Sequence, residues 1–203
     1  MTTITEQARQ QLRARRTAPA RPPWHPPAVT DFMPGLRMLA WDASLANAGW
    51  VMFQVTSRVE VEAHGTIHPA QEGDGYMGTW QRMKSLQSAL WDHPHLIRWM
   101  QDPGILKALE APPVGGGHRK ESSLIAGGVV WGECDECAVI VPTHVSAVLL
   151  GRPRILKAER KPAIKAAVLR FVPEAASRGW DEHQRDALSV GLTRLCDLRE
   201  ATA

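Results

Sequence analysis

Disulfide chemistry, membrane insertion and strong bulk charge are all missing from this 203-residue chain. Its three cysteines cannot build a disulfide framework. Cys134 and Cys137 form a lone C-x-x-C, without a second ligand pair at zinc spacing beyond scattered histidines such as His144. The motif closes a predicted helix, whereas a thioredoxin-type pair follows a strand, so it reads as ordinary reduced thiols. No uninterrupted apolar stretch approaches the roughly 18 residues of a membrane span. No apolar segment of about 7–15 residues stands behind the amino terminus, so no secretory signal is expected. Prolines and the lack of serine there disfavour a transit peptide, which leaves the cytoplasm as the expected location. The net charge of only +3 gives by itself no sign of an anionic partner.

What is present is a near-average globular composition, 44 % hydrophobic and 22 % charged, in a length that makes one domain with something left over. The small net charge conceals an uneven distribution. Residues 1–30 carry five arginines against Glu6, a net of +4. Residues 151–170 carry Arg152, Arg154, Lys157, Arg160, Lys161, Lys165 and Arg170 against Glu159, a net of +6, which leaves −7 on the rest. A basic tail and a basic strip on an acidic body suit a nucleic-acid enzyme with a carboxylate active site. The first 34 residues join Arg-rich sequence to the Pro cluster APARPPWHPP and lack apolar periodicity. They predict a disordered basic arm at 1–34 ahead of a folded domain at 35–203.

Within that domain LRMLAW reads as an apolar strand ending on Asp42, and the turn ASLANA leads through Gly49 into a second strand, WVMFQV. VEVEAHGTIHP alternates as a third, partly exposed strand and completes a meander. Residues 76–101 show apolar positions at helical spacing, broken near Pro94. ILKALEA, 105–111, is a short strand carrying Glu110 and stopped by Pro112 and Pro113, after which a helix opens at Ser122 or Ser123. AVIVP at 138–142 predicts a buried strand, followed by helices over His144–Leu150, Lys161–Phe171 and Asp181–Leu198, with Asp181 as the last N-cap. This order indicates an α/β fold, a mixed sheet covered by helices.

Asp42 and Glu110 fall at the carboxyl ends of strands expected to be neighbours, where open α/β sheets form their sites. Asp186 shares a face of the last helix with His183 and Glu182. Singly, Asp42 could cap a turn, Glu110 could be a surface strand end, and Asp186 could pair with Arg185; Asp181 and Glu182 are explained by the helix dipole. Together, converging carboxylates repel unless a divalent cation sits among them, and hard ions such as Mg²⁺ or Mn²⁺ favour oxygen ligands and phosphate. Phosphodiester cleavage by two ions roughly 3.5–4 Å apart suits such a site.

In LAWDASLANAGW the strand ends in Asp42, Leu45 stands three residues on, and Gly49 and Trp50 stand seven and eight residues on. ALEAPP precedes HRKESSLIAGGVVWG, and HQRDALSVGL places His183 three residues before Asp186-Ala-Leu. In this order the segments resemble the RuvC family of Holliday-junction resolvases, within the RNase H-like superfamily, over about residues 36–195. The resemblance implies an RNase H-like fold with a five-stranded mixed sheet, a three-strand meander plus two parallel strands. It implies a metal-binding quartet of Asp42, Glu110, His183 and Asp186 for Mg²⁺ or Mn²⁺, two ions per site. Lys161 is the match for the family's catalytic-side lysine, with Arg119, Lys120, Arg152, Arg154, Lys157, Lys161 and Lys165 on DNA phosphates. The implied activity is paired cleavage of branched DNA by a homodimer.

Three departures bear on preference. Ser44 stands where the family usually has Gly, Ala46 replaces a frequent Arg, and Pro112, Pro113 and Val114 follow Glu110 where bacterial members often place an aromatic. The Pro-rich tail and the stretch around Trp80–Trp99 fit a phage-encoded relative. The competing readings are a fork- or flap-processing nuclease of the same fold, a branched-DNA-binding protein without cleavage, and an actin-like phosphotransferase. The last needs a second Gly-rich phosphate loop after another Asp strand, a context that GGGH at 115–118 lacks.

Overall fold

The computed structural model describes residues 24–70, 75–111 and 118–202. β1 (Arg37–Asp42), β2 (Ala48–Val55) and β3 (Val59–Ile67) form an antiparallel meander. β4 (Leu106–Glu110) and β5 (Ala138–Ile140) extend the sheet in parallel from the other side of β1, in the order β3-β2-β1-β4-β5. The helices are α1 (Gly75–Trp91), α2 (Pro94–Gln101), α3 (His118–Gly132), α4 (Pro142–Leu150), α5 (Lys157–Phe171) and α6 (Glu182–Thr202). The mixed five-stranded sheet of the RNase H-like fold is thus present as expected.

Strand alternation divides the core into two layers. Met38 and Ala40 of β1 face a layer completed by Val145, Ile164, Val168, Leu188 and Leu192 from α4, α5 and α6. Leu39 and Trp41 face the opposite layer, with Leu86, Leu90, Leu96, Met100 and Val130 from α1, α2 and α3. Fully burying each such side chain contributes about 1.5–3 kcal/mol. The same period of two decides where the acids go. Asp42 continues the Met38 and Ala40 series, and Glu110 follows Ala108, so both leave adjacent parallel strands on the face covered by α6.

Two glycines let α6 lie close on that face. Gly49, opposite Asp42 in the β1–β2 register, would place a Cβ 2.3 Å from the His183 carbonyl carbon and 2.5 Å from its oxygen. A Cβ on Gly191 would stand 2.7 Å from the Phe53 ring and 3.0 Å from Ala40 Cβ. The first turn of α6 is also tied down by a capping box. Gln184 N–H donates to Asp181 Oδ1 at 2.9 Å, and Asp181 N–H donates to Gln184 Oε1 at 3.2 Å. From β3, Thr66 donates to Asp181 Oδ2 and accepts from Gln184 Nε2, while His64 meets Gln184 Oε1 at 3.0 Å and stacks on Trp180.

Several boundaries differ from expectation. The proposed arm was drawn through residue 34, but Trp24–Pro34 is packed: Trp24 donates to Val148 O at 3.0 Å and covers Gly151, Phe32 is buried against Phe171, and Asp31 pairs with Arg199. Two aromatic side chains here outweigh the Pro-rich composition. Residues 1–23 lie outside the described residues. α3 opens at His118, ahead of Ser122. Pro142 opens α4 instead of ending β5, a position where its missing N–H costs nothing. α5 begins at Lys157 and runs through the exposed Pro162.

Gly49→Ala tests the close approach of α6. Its methyl meets rigid backbone, and the cost expected from overpacking is about 1–3 kcal/mol in urea unfolding; a change below about 0.5 kcal/mol, the size of an ordinary surface substitution, would show that α6 can shift freely.

Candidate active site

The four residues named from the sequence converge. Asp42 comes from the end of β1, Glu110 from the end of β4, and His183 and Asp186 from the first turns of α6. His183 Nδ1 lies 2.8 Å from Asp42 Oδ2, so the imidazole donates to the carboxylate and only Nε2 remains open to a ligand. That bond raises the pKa of His183, with further help from the charges of Asp42, Asp181 and Asp186, against an opposing effect of burial.

The carboxylates are less comfortable. Burial together with the charges of Asp42 and Asp186 pushes Glu110 up to about 8. Asp186 rises to about 6, by burial and by the charge of Asp42, and Lys161, Arg160 and His183 offset part of this. Three acids on one face are held closer than their charges favour, the condition a bound cation relieves.

The cation facing Glu110 is a residue the sequence reading left in the basic strip without a role. Arg160 donates through Nη2 to Glu110 Oε1 at 3.4 Å and through Nε to Ser146 Oγ at 3.2 Å. The signal was helical phase: Arg160 stands one turn before buried Ile164, whereas Lys161 and Lys165 fall on the exposed face of α5. Lys161 pairs with Glu182 and acts on Asp186 through its charge. Arg154 and Arg160 line a cleft of ≈ 420 Å³ between α4 and α5, floored by Pro142, Ser146 and Ile155. Arg152, Arg154 and Lys165 are exposed. Arg119 and Lys120 lie in the first turn of α3 and Lys157 opens α5; their side chains lie outside the described residues, as do Pro112, Pro113 and Val114. Ser44, the substitute for a family glycine, organises the β1–β2 turn by accepting from the N–H groups of Ala46 and Asn47 and donating to Asn47 O.

The donor set of three carboxylates and one imidazole fits a hard divalent cation in kind. In arrangement, no three His, Cys, Asp or Glu side chains among the described residues stand close enough to hold an ion, and Asp42 and Glu110 are engaged by His183 and Arg160. Ion binding here requires these carboxylates to exchange partners.

No protein-family model matches the chain, and no curated protein matches it in sequence. Among solved structures it is similar to Thermus thermophilus RuvC, with a TM-score of 0.63 at 16 % identity, covering 83 % of this chain and 98 % of that one. It is similar as well to T. thermophilus RuvC in complex with Holliday junction substrate, with a TM-score of 0.61 at 16 % identity and the same coverage, 83 % and 98 %. The chain therefore has the fold of RuvC.

The raised acids set a pH dependence. Folded Glu110 binds its proton more tightly than an unfolded glutamate, so the folded state carries extra proton between about 4.5 and about 8 and its stability falls as pH rises through that window. Without metal, Glu110→Gln is expected to stabilise the protein at pH 8, on the order of 1–2 kcal/mol in urea unfolding, with the gain vanishing toward pH 4.5. An equal difference at both pH values would contradict the buried-acid account.

Proposed function

We propose that this chain is a RuvC-like resolvase, a metal-dependent, structure-selective endonuclease that cuts Holliday junctions and other branched DNA by paired phosphodiester hydrolysis. One observation carries the reading: Asp42, Glu110 and Asp186 raise one another's proton affinity at the carboxyl edge of the sheet, beside the basic strip. The fold shared with RuvC, one structure of which is in complex with Holliday junction substrate, supports the same substrate class here.

Asp42, Glu110 and Asp186 would hold Mg²⁺ or Mn²⁺, two ions per site, with His183 Nε2 as a fourth ligand or as the atom that orients water. Divalent cations at such acids lower the pKa of water and stabilise a leaving oxygen. His183 is fixed for either task by its Nδ1–H bond to Asp42. Arg160 would leave Glu110 for the scissile phosphate, keeping that oxygen neutralised by a planar fork. Lys161, released from Glu182, would add a second positive charge near Asp186. Arg152, Arg154, Lys157 and Lys165, with Arg119 and Lys120 across the site, would grip flanking phosphates without reading bases. A homodimer follows from the substrate, because resolving a four-way junction requires two cuts.

The assay incubates the protein with labelled four-way junction, fork, flap and linear duplex, in Mg²⁺, Mn²⁺ or chelator. Symmetric paired nicks in the junction are expected, absent with chelator and lost in Asp42→Asn and Asp186→Asn. Cutting that persists in Asp42→Asn would overturn the site, preference for forks or flaps would replace the junction, and tight binding without cutting would favour the non-cleaving reading. Within the basic strip, Arg160→Ala is expected to lower the single-turnover cleavage rate more than Lys161→Ala; the reverse order would return the phosphate role to Lys161.

A further inference from the structure

The C-x-x-C motif, left aside in the sequence as ordinary thiols, has surroundings that the sequence does not reveal. Cys134 and Cys137 follow α3 and lead into β5, at the end of the sheet opposite the acids. Both are half-buried against the α1–α3 layer, and their thiols share a hydrogen bond. The parallel register pairs Ala108 with Ala138, which sets Lys107 alongside Cys137. Lys107 is only 5 % exposed, and its ammonium donates to the backbone oxygen of Asp102 at 2.5 Å. Among the described residues it has no carboxylate partner. A buried ammonium without a counter-anion is costly, and the group within its electrostatic reach that can supply a negative charge is the thiol pair.

We propose that Cys134, Cys137 and Lys107 form a thiol–disulfide exchange site that accepts a low-molecular-weight disulfide and closes to an intramolecular Cys134–Cys137 disulfide. Cys137 is the attacking sulfur. Its thiolate is favoured by the bond from the Cys134 thiol and by the Lys107 charge, which together draw its pKa below the ordinary thiol value, while Cys134 is pushed up and keeps its proton. The thiolate attacks one sulfur of the incoming disulfide, a mixed disulfide forms, and the first thiol leaves with the proton that Cys137 gave up. Cys134 then loses its proton and attacks Cys137 sulfur, expelling the second thiol. Two protein thiols and one disulfide become one protein disulfide and two small thiols. A metal site fits less well, since two sulfurs are half of a tetrahedral zinc set and no third His, Cys, Asp or Glu joins them among the described residues. Cys196 is the internal control: it is buried and pushed up to about 12, and it lies on α6 in the other core layer.

The test exposes the full-length protein to glutathione disulfide in the presence of chelator and follows it by intact mass and peptide mapping. Wild type is expected to lose two hydrogens, with the bridge mapping to Cys134 and Cys137 and Cys196 unmodified. Cys134→Ser should instead trap glutathione on Cys137. Lys107→Met, checked for folding by circular dichroism, should slow the first step about tenfold, the effect of one unit of thiol pKa on thiolate fraction. A lasting glutathione adduct on wild type without an internal bridge, or Cys196 reacting as fast as Cys137, would overturn the proposal. So would an unchanged rate in folded Lys107→Met. None of these outcomes depends on nuclease activity.

Discussion

The closeness of α6 to the sheet at Gly49 is the constraint on which the site rests. Backbone meets backbone there, because a Cβ on residue 49 would overlap the His183 carbonyl group. The missing side chain brings the first turn of the helix to the end of β1, and that single approach delivers both His183 and Asp186 to Asp42. Gly191 repeats the device two turns further along, so the helix axis is fixed at two points. The Asp181–Gln184 capping box and the β3 side chains His64 and Thr66 then set how far the helix can slide. A strand at the edge of the meander thereby positions residues that it does not itself contribute to the acid cluster.

Electrostatics runs against this packing. Apolar burial on both faces of the sheet holds Asp42, Glu110 and Asp186 together although their charges repel, and Glu110 and Asp186 respond by holding their protons more tightly. Arg160 offsets only part of the cost on Glu110. The stability of the core outweighs a local penalty, as is common where a site must be pre-formed for a charged ligand. The near-neutral total charge of +3 is accordingly a sum of opposed parts, an acid cluster and a neighbouring basic strip, each suited to a different component of a metal-bound phosphodiester.

Much of this was legible in the sequence. Strand alternation over residues 36–63 marked the meander and placed Asp42 at a strand end, because period two is local information. The helical spacing of His183 and Asp186 was equally local. The role of Arg160 was hidden because Pro162 made the helix look as though it began at Lys161, which removed Arg160 from the helical phase that aims it inward. The packing of Trp24 and Phe32 was hidden by composition, since a Pro-rich segment can still be pinned by two aromatic side chains. Lys107 beside Cys137 depends on the parallel register of β4 and β5, a long-range pairing that no spacing in the chain encodes.

The central claim is that the three acids form a cation site whose repulsion an ion relieves. Calorimetric titration of Mn²⁺ into metal-free protein near pH 8, wild type against Asp42→Asn, tests it most directly. The account predicts saturable binding with release of protons in wild type and its loss in Asp42→Asn, while the variant alone melts at a higher temperature than metal-free wild type. Equal binding by both proteins, or none by wild type at millimolar Mn²⁺, would contradict it.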